Sequence, residues 1–288
     1  MEIQRSIGFS FYNNEREIPR SLSAWIPHVD NVIAIDGRYQ TPETPEMKSK
    51  NLTYYSNDNS EEVLRKICGD KLIFEKYYAT QIDKRQRYMD IAGEIKSDIL
   101  IVWDSDDYIH SFYQDWNLFE KELEWIMKRP EETSIHYMYA WIPSDRVYPK
   151  QFNAVDSNSW QKYARVHKNP GDQKYVVTHH TFTKKKTLQV CSEEEIAAHY
   201  SIYRDHFGNP YLIQGDVNKP IEGIRLITDR DYRTSDQLEH GNNWAYQDCR
   251  EDEVKLLNTA FKTARGTNID LFDLSKPHYY KPGGMVWY

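Results

Sequence analysis

ILIVWDSDDY, residues Ile99 to Tyr108, sets five apolar side chains in a row and then three carboxylates within four positions. An apolar run without alternation reads as a strand covered on both faces, the pattern of a parallel sheet sandwiched between helices. Like charges at Asp104, Asp106 and Asp107 repel, so the strand must end where something compensates them.

Working outward from this strand, the preceding stretch KRQRYMDIAGEIKS places Tyr88, Met89, Ala92 and Ile95 at helical spacing. SIGFSFY (Ser6 to Tyr12), NVIAID (Asn31 to Asp36) and KLIFEKY read as earlier strands. Between them, REIPRSLSAWI reads as a helix with Ile18, Leu22 and Trp25 on one face and Pro19 in its first turn. NSEEVLRKI reads as another, with Asn59 placed to cap it and Glu62 three positions on. The alternation predicts an α/β fold with a mostly parallel sheet flanked by helices. Beyond the acids, YQDWNLFEKELEWIMKR is an amphipathic helix whose stripe is Trp116, Phe119, Leu123 and Met127, with Trp116 expected in the core. SIHYMYAWIP, RVYPKQF and SWQKYARVHK read as short, mostly antiparallel strands. A helical pattern returns after Ser192 and again from Gln237 to Ala264.

Composition bounds the function. The chain has 288 residues, a net charge of −7, 39% hydrophobic residues and 22 tyrosines, enough for a sizeable core partly built from amphipathic rings. The acidic balance argues against nucleic acid as a partner, because that binding needs a basic excess to displace counterions. Three separated cysteines, Cys68, Cys191 and Cys249, form no disulfide framework and fit a reducing compartment. No signal-like start and no apolar run of membrane-spanning length are seen, so the expected location is cytoplasmic.

In open parallel sheets ligands bind beyond the carboxyl ends of the strands. Three strands end in polar groups there: Asn13, Asn14 and Glu15 after the first, Asp36 after the second, and the acid cluster after the fourth. Asp104 and Asp106, separated by the small Ser105, have the spacing to hold one hard cation, Mn²⁺ or Mg²⁺. Such ions commonly take one or two carboxylates and fill the other positions with water and diphosphate oxygens. The plainer alternative is a solvated acidic turn.

Several segments in this order resemble the family 2 glycosyltransferases of the GT-A fold. IGFSFYNNEREIPRSLSAWIPHVDNVIAIDG is similar to that family's opening, and KRQRYMDIAGEIKSDILIVWDSDD to its basic helix start, strand and DxD segment. WQKYARVHKNPGDQKYVVTHH resembles its later Arg strand followed by a His, and IRLITDRDYRTSDQLEHGNNWAYQ the Arg-bearing segment near the end of its core.

The resemblance implies a GT-A (Rossmann-like) domain over residues 1–225. Its nucleotide-binding half would be about 1–110 and its acceptor half 111–225, with a helical cap over 226–288. It implies transfer of a sugar from a nucleotide-diphosphate donor, a UDP-sugar first, to a glycan or lipid-linked acceptor, with inversion favoured over retention. Asn13, Glu15, Asp36, Arg85, Arg87, Asp104 and Arg233 would bind the donor. Asp104, Asp106 and His180 would hold the metal. Several have a plainer role: a turn cap for Asp36, an early helix acid for Glu15, a solvated helix face for Arg85 and Arg87, a local ion pair for Arg233. No catalytic base stands out among Asp145, Asp156 and Glu193. The aromatic tail HYYKPGGMVWY is expected to pack on the domain, with a lid over the acceptor cleft or a peripheral membrane contact as alternatives. Two other functions compete: a noncatalytic carbohydrate-binding or interaction protein, and a haloacid dehalogenase-like phosphatase using the Asp pair.

Overall fold

The computed structural model describes residues 3–40, 52–129, 135–141, 160–175, 182–184, 201–204, 210–213, 221–228 and 259. The first half alternates as expected. β1 (Arg5–Phe11), β2 (Asn31–Asp36), β3 (Leu72–Lys76) and β4 (Ile99–Asp104) are separated by α1 (Glu17–Leu22), α2 (Ser60–Cys68) and α3 (Gln81–Glu94). There follow β5 (Asp107–Gln114), α4 (Trp116–Lys128), β6 (Ile135–Trp141), β7 (Trp160–Lys168), β8 (Gln173–Tyr175), β9 (Phe182–Lys184), β10 (Ser201–Arg204), β11 (Pro210–Ile213) and β12 (Ile221–Thr228).

Eight strands form one mixed sheet in the order β3-β2-β1-β4-β7-β6-β12-β5, and β8/β9 and β10/β11 form two small antiparallel pairs. β3, β2, β1 and β4 run parallel, as does β12 beside β6. β7 is antiparallel to both of its neighbours, and β5 to β12. The chain is thus a mixed α/β protein with a mostly parallel central sheet and flanking helices.

Both faces of β4 are covered, which is why its sequence does not alternate. Ile99, Ile101 and Trp103 join the core under α1 and α4, while Leu100 and Val102 join the core under α3 with Tyr88, Met89 and Ala92. Trp25 centres the first core, edge-on to Trp103 at 5.1 Å and to Phe119 at 5.6 Å.

On the second face, backbone meets backbone. A Cβ on Gly93 of α3 would stand 2.6 Å from the Cα of Gly171, in the 3₁₀ turn Pro170–Asp172 after β7. Only glycine on both sides allows α3 and that turn to approach so closely.

Local differences have local causes. The first helix ends at Leu22 and the chain continues as a 3₁₀ turn over Ile26–His28, with Pro27 in its first turn, where its missing N–H costs nothing. Ile18, Leu22 and Trp25 are nonetheless all buried. Asn59 occupies the N-cap of α2 but makes no capping bond; its Nδ2 donates to Glu15, and Asp58 Oδ1 accepts from Ser60 N. Ile126 takes the buried place expected of Met127. Trp116 is half-buried, stacked on His28 with ring centroids 3.5 Å apart. The strands β5 and β8 to β12 were not foreseen, and β10 and β11 stand in the stretch after Ser192 where a helical pattern was expected.

Residues 226–228 of the expected helical cap belong to β12, and the rest, Thr259 excepted, lies outside the described residues. So do RVYPKQF, the aromatic tail, Cys191 and Cys249. Among the described residues no helix is long and apolar enough to cross a membrane.

Candidate functional site at the carboxyl edge of β1, β2 and β4

The register of the parallel strands sets the site. Ser10 on β1 stands beside both Ile35 of β2 and Asp104 of β4, so the loops that follow these strands leave the sheet together. After β1, Asn13 adopts a left-handed conformation (φ 53°), which asparagine tolerates better than most residues. Its N–H donates to Ser56 Oγ (2.8 Å) and its Oδ1 accepts from Asn57 N (2.9 Å). Glu15 Oε2 accepts from the N–H and Nδ2 of Asn59 (3.1 and 3.0 Å). Asn13 and Glu15 therefore seat the segment leading into α2.

Asp36 seats the same segment from the other side. Its carboxylate, 1% exposed, accepts from Ser56 Oγ (2.6 Å) and from Ser56 N (3.1 and 3.2 Å). Burial raises its pKa, and the Ser56 hydrogen bonds and Lys84 work against that rise. Lys84, wholly buried on α3, donates to the Gly37 carbonyl, and burial pushes its pKa down to about 7, with Asp36 opposing. Beside this clamp stands an aromatic wall. Tyr54 (55% exposed) and Tyr78 have ring centroids 4.6 Å apart, with the Arg38 guanidinium 5.3 and 5.4 Å from them.

The acid cluster finds its compensation in two buried arginines. Asp104 continues the row of Leu100 and Val102 toward α3, where Arg85 Nη2 donates to its Oδ1 (2.6 Å). From β7, Arg165 Nη2 pairs with Asp104 Oδ2 (2.8 Å) and Asp107 Oδ2 (2.5 Å). Burial disfavours charge on both arginines, but their neighbours outweigh it: Tyr88 and Asp104 for Arg85, Asp104 and Asp107 for Arg165. Both pKa values lie above the ordinary arginine value.

Asp106 belongs to a different wall. With Ser105, Asp107 and Tyr108 it lines one side of a cleft of about 190 Å³, whose other side is Arg16, Glu17, Arg20 and Ser21. The Arg20 guanidinium lies 3.5 Å from the centroid of the Tyr108 ring.

Among the described residues no three His, Cys, Asp or Glu side chains are grouped to hold a metal ion. Both oxygens of Asp104 meet guanidinium groups, while Asp106 and Asp107 line the cleft. A carboxylate in that lining is chemically suited to Mg²⁺ or Mn²⁺ in the mode where one protein carboxylate is joined by water and diphosphate oxygens.

Of the residues singled out in the sequence, Asn13, Glu15 and Asp36 meet around the segment 56–60, and Arg85 and Asp104 meet as an ion pair. Arg87 stands apart, bonded to Glu75 (2.8–3.0 Å) and Glu94 (2.9 Å). His180, Arg233, Asp145, Asp156 and Glu193 lie outside the described residues. Sequence reasoning passed over Arg165 and Lys84. For Arg165 the available signal was a charged residue at a strand position flanked by Ala164 and Val166, where a partner has to be buried with it.

No protein-family model matches the chain, and no curated protein does. Solved structures give weak likenesses. S. aureus TarS is 13% identical, with 92% of this chain and 44% of that one covered at a TM-score of 0.35. This chain therefore spans less than half of that protein. TarS 1-349 in complex with UDP-GlcNAc is 14% identical, covering 92% and 74% at a TM-score of 0.36. GalNAc-T7 with UDP, GalNAc and Mn²⁺ is 11% identical, covering 95% and 52% at a TM-score of 0.34. Overlaps of this size decide neither fold nor activity, and the fold class rests on the sheet order.

Proposed function

We propose that the chain is a glycosyltransferase that moves a sugar from a nucleotide-diphosphate donor, a UDP-sugar first, to the hydroxyl of a glycan or lipid-linked acceptor. The observation that carries this reading is the convergence of three parallel strand ends on one edge, with an acid facing a cleft and two buried arginines behind it. An open parallel sheet offers ligands this edge. The ordered segments similar to family 2 glycosyltransferases point to the same chemistry.

The barrier in such a transfer is departure of the nucleoside diphosphate, on which negative charge grows. In this reading Asp106 holds Mn²⁺ or Mg²⁺, which when bound neutralises that charge as a Lewis acid. Arg85, kept charged beside Asp104, holds that carboxylate in place at the same edge. The Asp36–Ser56 clamp holds the loop of Tyr54, whose exposed ring offers a stacking face to the nucleobase. His180 and Arg233 are proposed to approach the metal and the diphosphate from later loops. The base that takes the acceptor proton in an inverting transfer comes from the acceptor half, with Asp145, Asp156 and Glu193 as its candidates. The phosphatase alternative is disfavoured because its nucleophile, Asp104, is spanned by two guanidinium groups.

A thermal-shift screen of UDP-, GDP-, CMP- and dTDP-sugars with and without Mn²⁺ tests the proposal, since a ligand bound only by the native state stabilises it by mass action. The expected outcome is stabilisation by one nucleotide class, enhanced by Mn²⁺, with the enhancement lost in Asp106→Asn. Stabilisation by free sugars alone, indifferent to metal and to Asp106, would establish the noncatalytic binding protein instead.

A further inference from the structure

We infer that Arg165 is the positioning residue for Asp106, a role that rests on the reading of Asp106 as the cation ligand. The reason lies in the sheet order. In a hairpin, hydrogen bonds between the two strands hold the turn that joins them. Here two residues, Ser105 and Asp106, separate β4 from β5, yet these strands do not pair. β4 is bonded to β1 and β7, while β5 lies at the far edge of the sheet against β12. No ladder between β4 and β5 fixes the turn.

Side chains supply what the ladder does not. Arg165, 4% exposed, reaches across from β7 and holds both flanks of the turn with one nitrogen: Asp104 at 2.8 Å and Asp107 at 2.5 Å. Its Nη1 also points to the Val102 carbonyl at 3.5 Å, at the outer limit of a hydrogen bond. Arg85 restrains the other oxygen of Asp104 at 2.6 Å. Two cations and two anions make a neutral group in which the shared Nη2 of Arg165 draws the two flanks together. The carbon backbone between them then presents Asp106 to the cleft. Lysine at 165 retains the charge on a nitrogen of different reach, and it lacks the second guanidinium arm that points to the Val102 carbonyl.

The test is Mn²⁺ binding to the whole chain, read by electron paramagnetic resonance in the presence of UDP, for wild type, Asp106→Asn, Arg165→Lys and Asp107→Asn. Melting temperature and circular dichroism are recorded on the same samples. Asp107→Asn opens the clamp without removing a buried cation, so it keeps the test alive if Arg165→Lys does not fold. Wild type is expected to bind Mn²⁺, Asp106→Asn to lose binding, and each clamp variant to weaken it tenfold or more in its folded fraction. Arg165 acting merely as a structural prop would lower the melting temperature and leave the affinity of the folded fraction unchanged. Clamp variants within twofold of wild type overturn the inference while the proposed function stands. Absence of Mn²⁺ binding in wild type overturns both.

Discussion

Replacing Asp104 with alanine separates its part in the buried ion network from any part in ligand binding. The substitution removes the one carboxylate shared by Arg85 and Arg165, whose side chains are 8% and 5% exposed. Breaking a buried ion pair from one side costs about 3–5 kcal/mol, because the remaining charge is left uncompensated. Two features reduce that figure: the Asp104 side chain is 34% exposed, and Arg165 retains Asp107. The expected loss is therefore about 2–3 kcal/mol, or roughly 4–9 °C in melting temperature at about 2–3 °C per kcal/mol for a chain of this size. Urea unfolding followed by circular dichroism measures it without ligand. A double-mutant cycle with Arg85→Met should give a coupling of about 1–3 kcal/mol, as expected for residues in direct contact. An Asp104→Ala protein that melts within about 1 °C of wild type, or a cycle that is additive, would refute the network as a stabilising unit.

Other outcomes follow from the same geometry. Arg87→Ala, which removes ion pairs to half-exposed and exposed glutamates, should cost under about 1 kcal/mol and leave nucleotide-induced stabilisation unchanged, whereas Arg85→Ala should abolish it; equal effects in the thermal-shift assay would contradict the separation of the two arginines. His167 is buried against Gln173, and its pKa is lowered from 6.5 to about 4, chiefly by burial. Between those values the unfolded chain binds the extra proton, so stability falls as pH drops from 6.5 toward 4, by about 3 kcal/mol in the limit. His167→Asn should flatten that slope in acid titrations of unfolding. Gly93→Ala drives a methyl into the Gly171 backbone and should cost about 1–3 kcal/mol by urea unfolding, with no measurable cost showing that the contact relaxes freely. Burial pushes the Cys68 thiol up to about 11, so peptide mapping after brief alkylation at pH 8 should find it unmodified until the protein is unfolded.

The first four strands and the helices between them were legible because each carries a local signal. An apolar run or a 3.6-residue stripe sits in one short segment, and Ile99–Trp103 fixed the two-sided burial at once. The acid cluster was legible as a place where charge must be met, but not as to what meets it. Arg165 stands far along the chain, and only the antiparallel seating of β7 beside β4 brings it to Asp104. The β5 strand escaped because it opens on an acid and carries His110, Ser111 and the 86%-exposed Phe112 at its solvent edge, with little of the apolar period of a covered strand. Asn59 shows the limit of a local motif, since a neighbouring loop carrying Glu15 claimed the side chain that the capping pattern had reserved for its own helix.

The glycine contact between Gly93 and Gly171 reaches beyond its own energy. One glycine rides on the helix of Arg85 and the other follows the strand of Arg165, so main chain touching main chain limits how closely the elements carrying the two arginines approach. In descendants of this sequence neither position can acquire a side chain without pushing that helix and that turn apart, so the two are expected to persist or to change in concert. Loss of one alone should be accompanied by a shift of the 3₁₀ turn away from α3, an evolutionary signature readable wherever enough descendants are aligned.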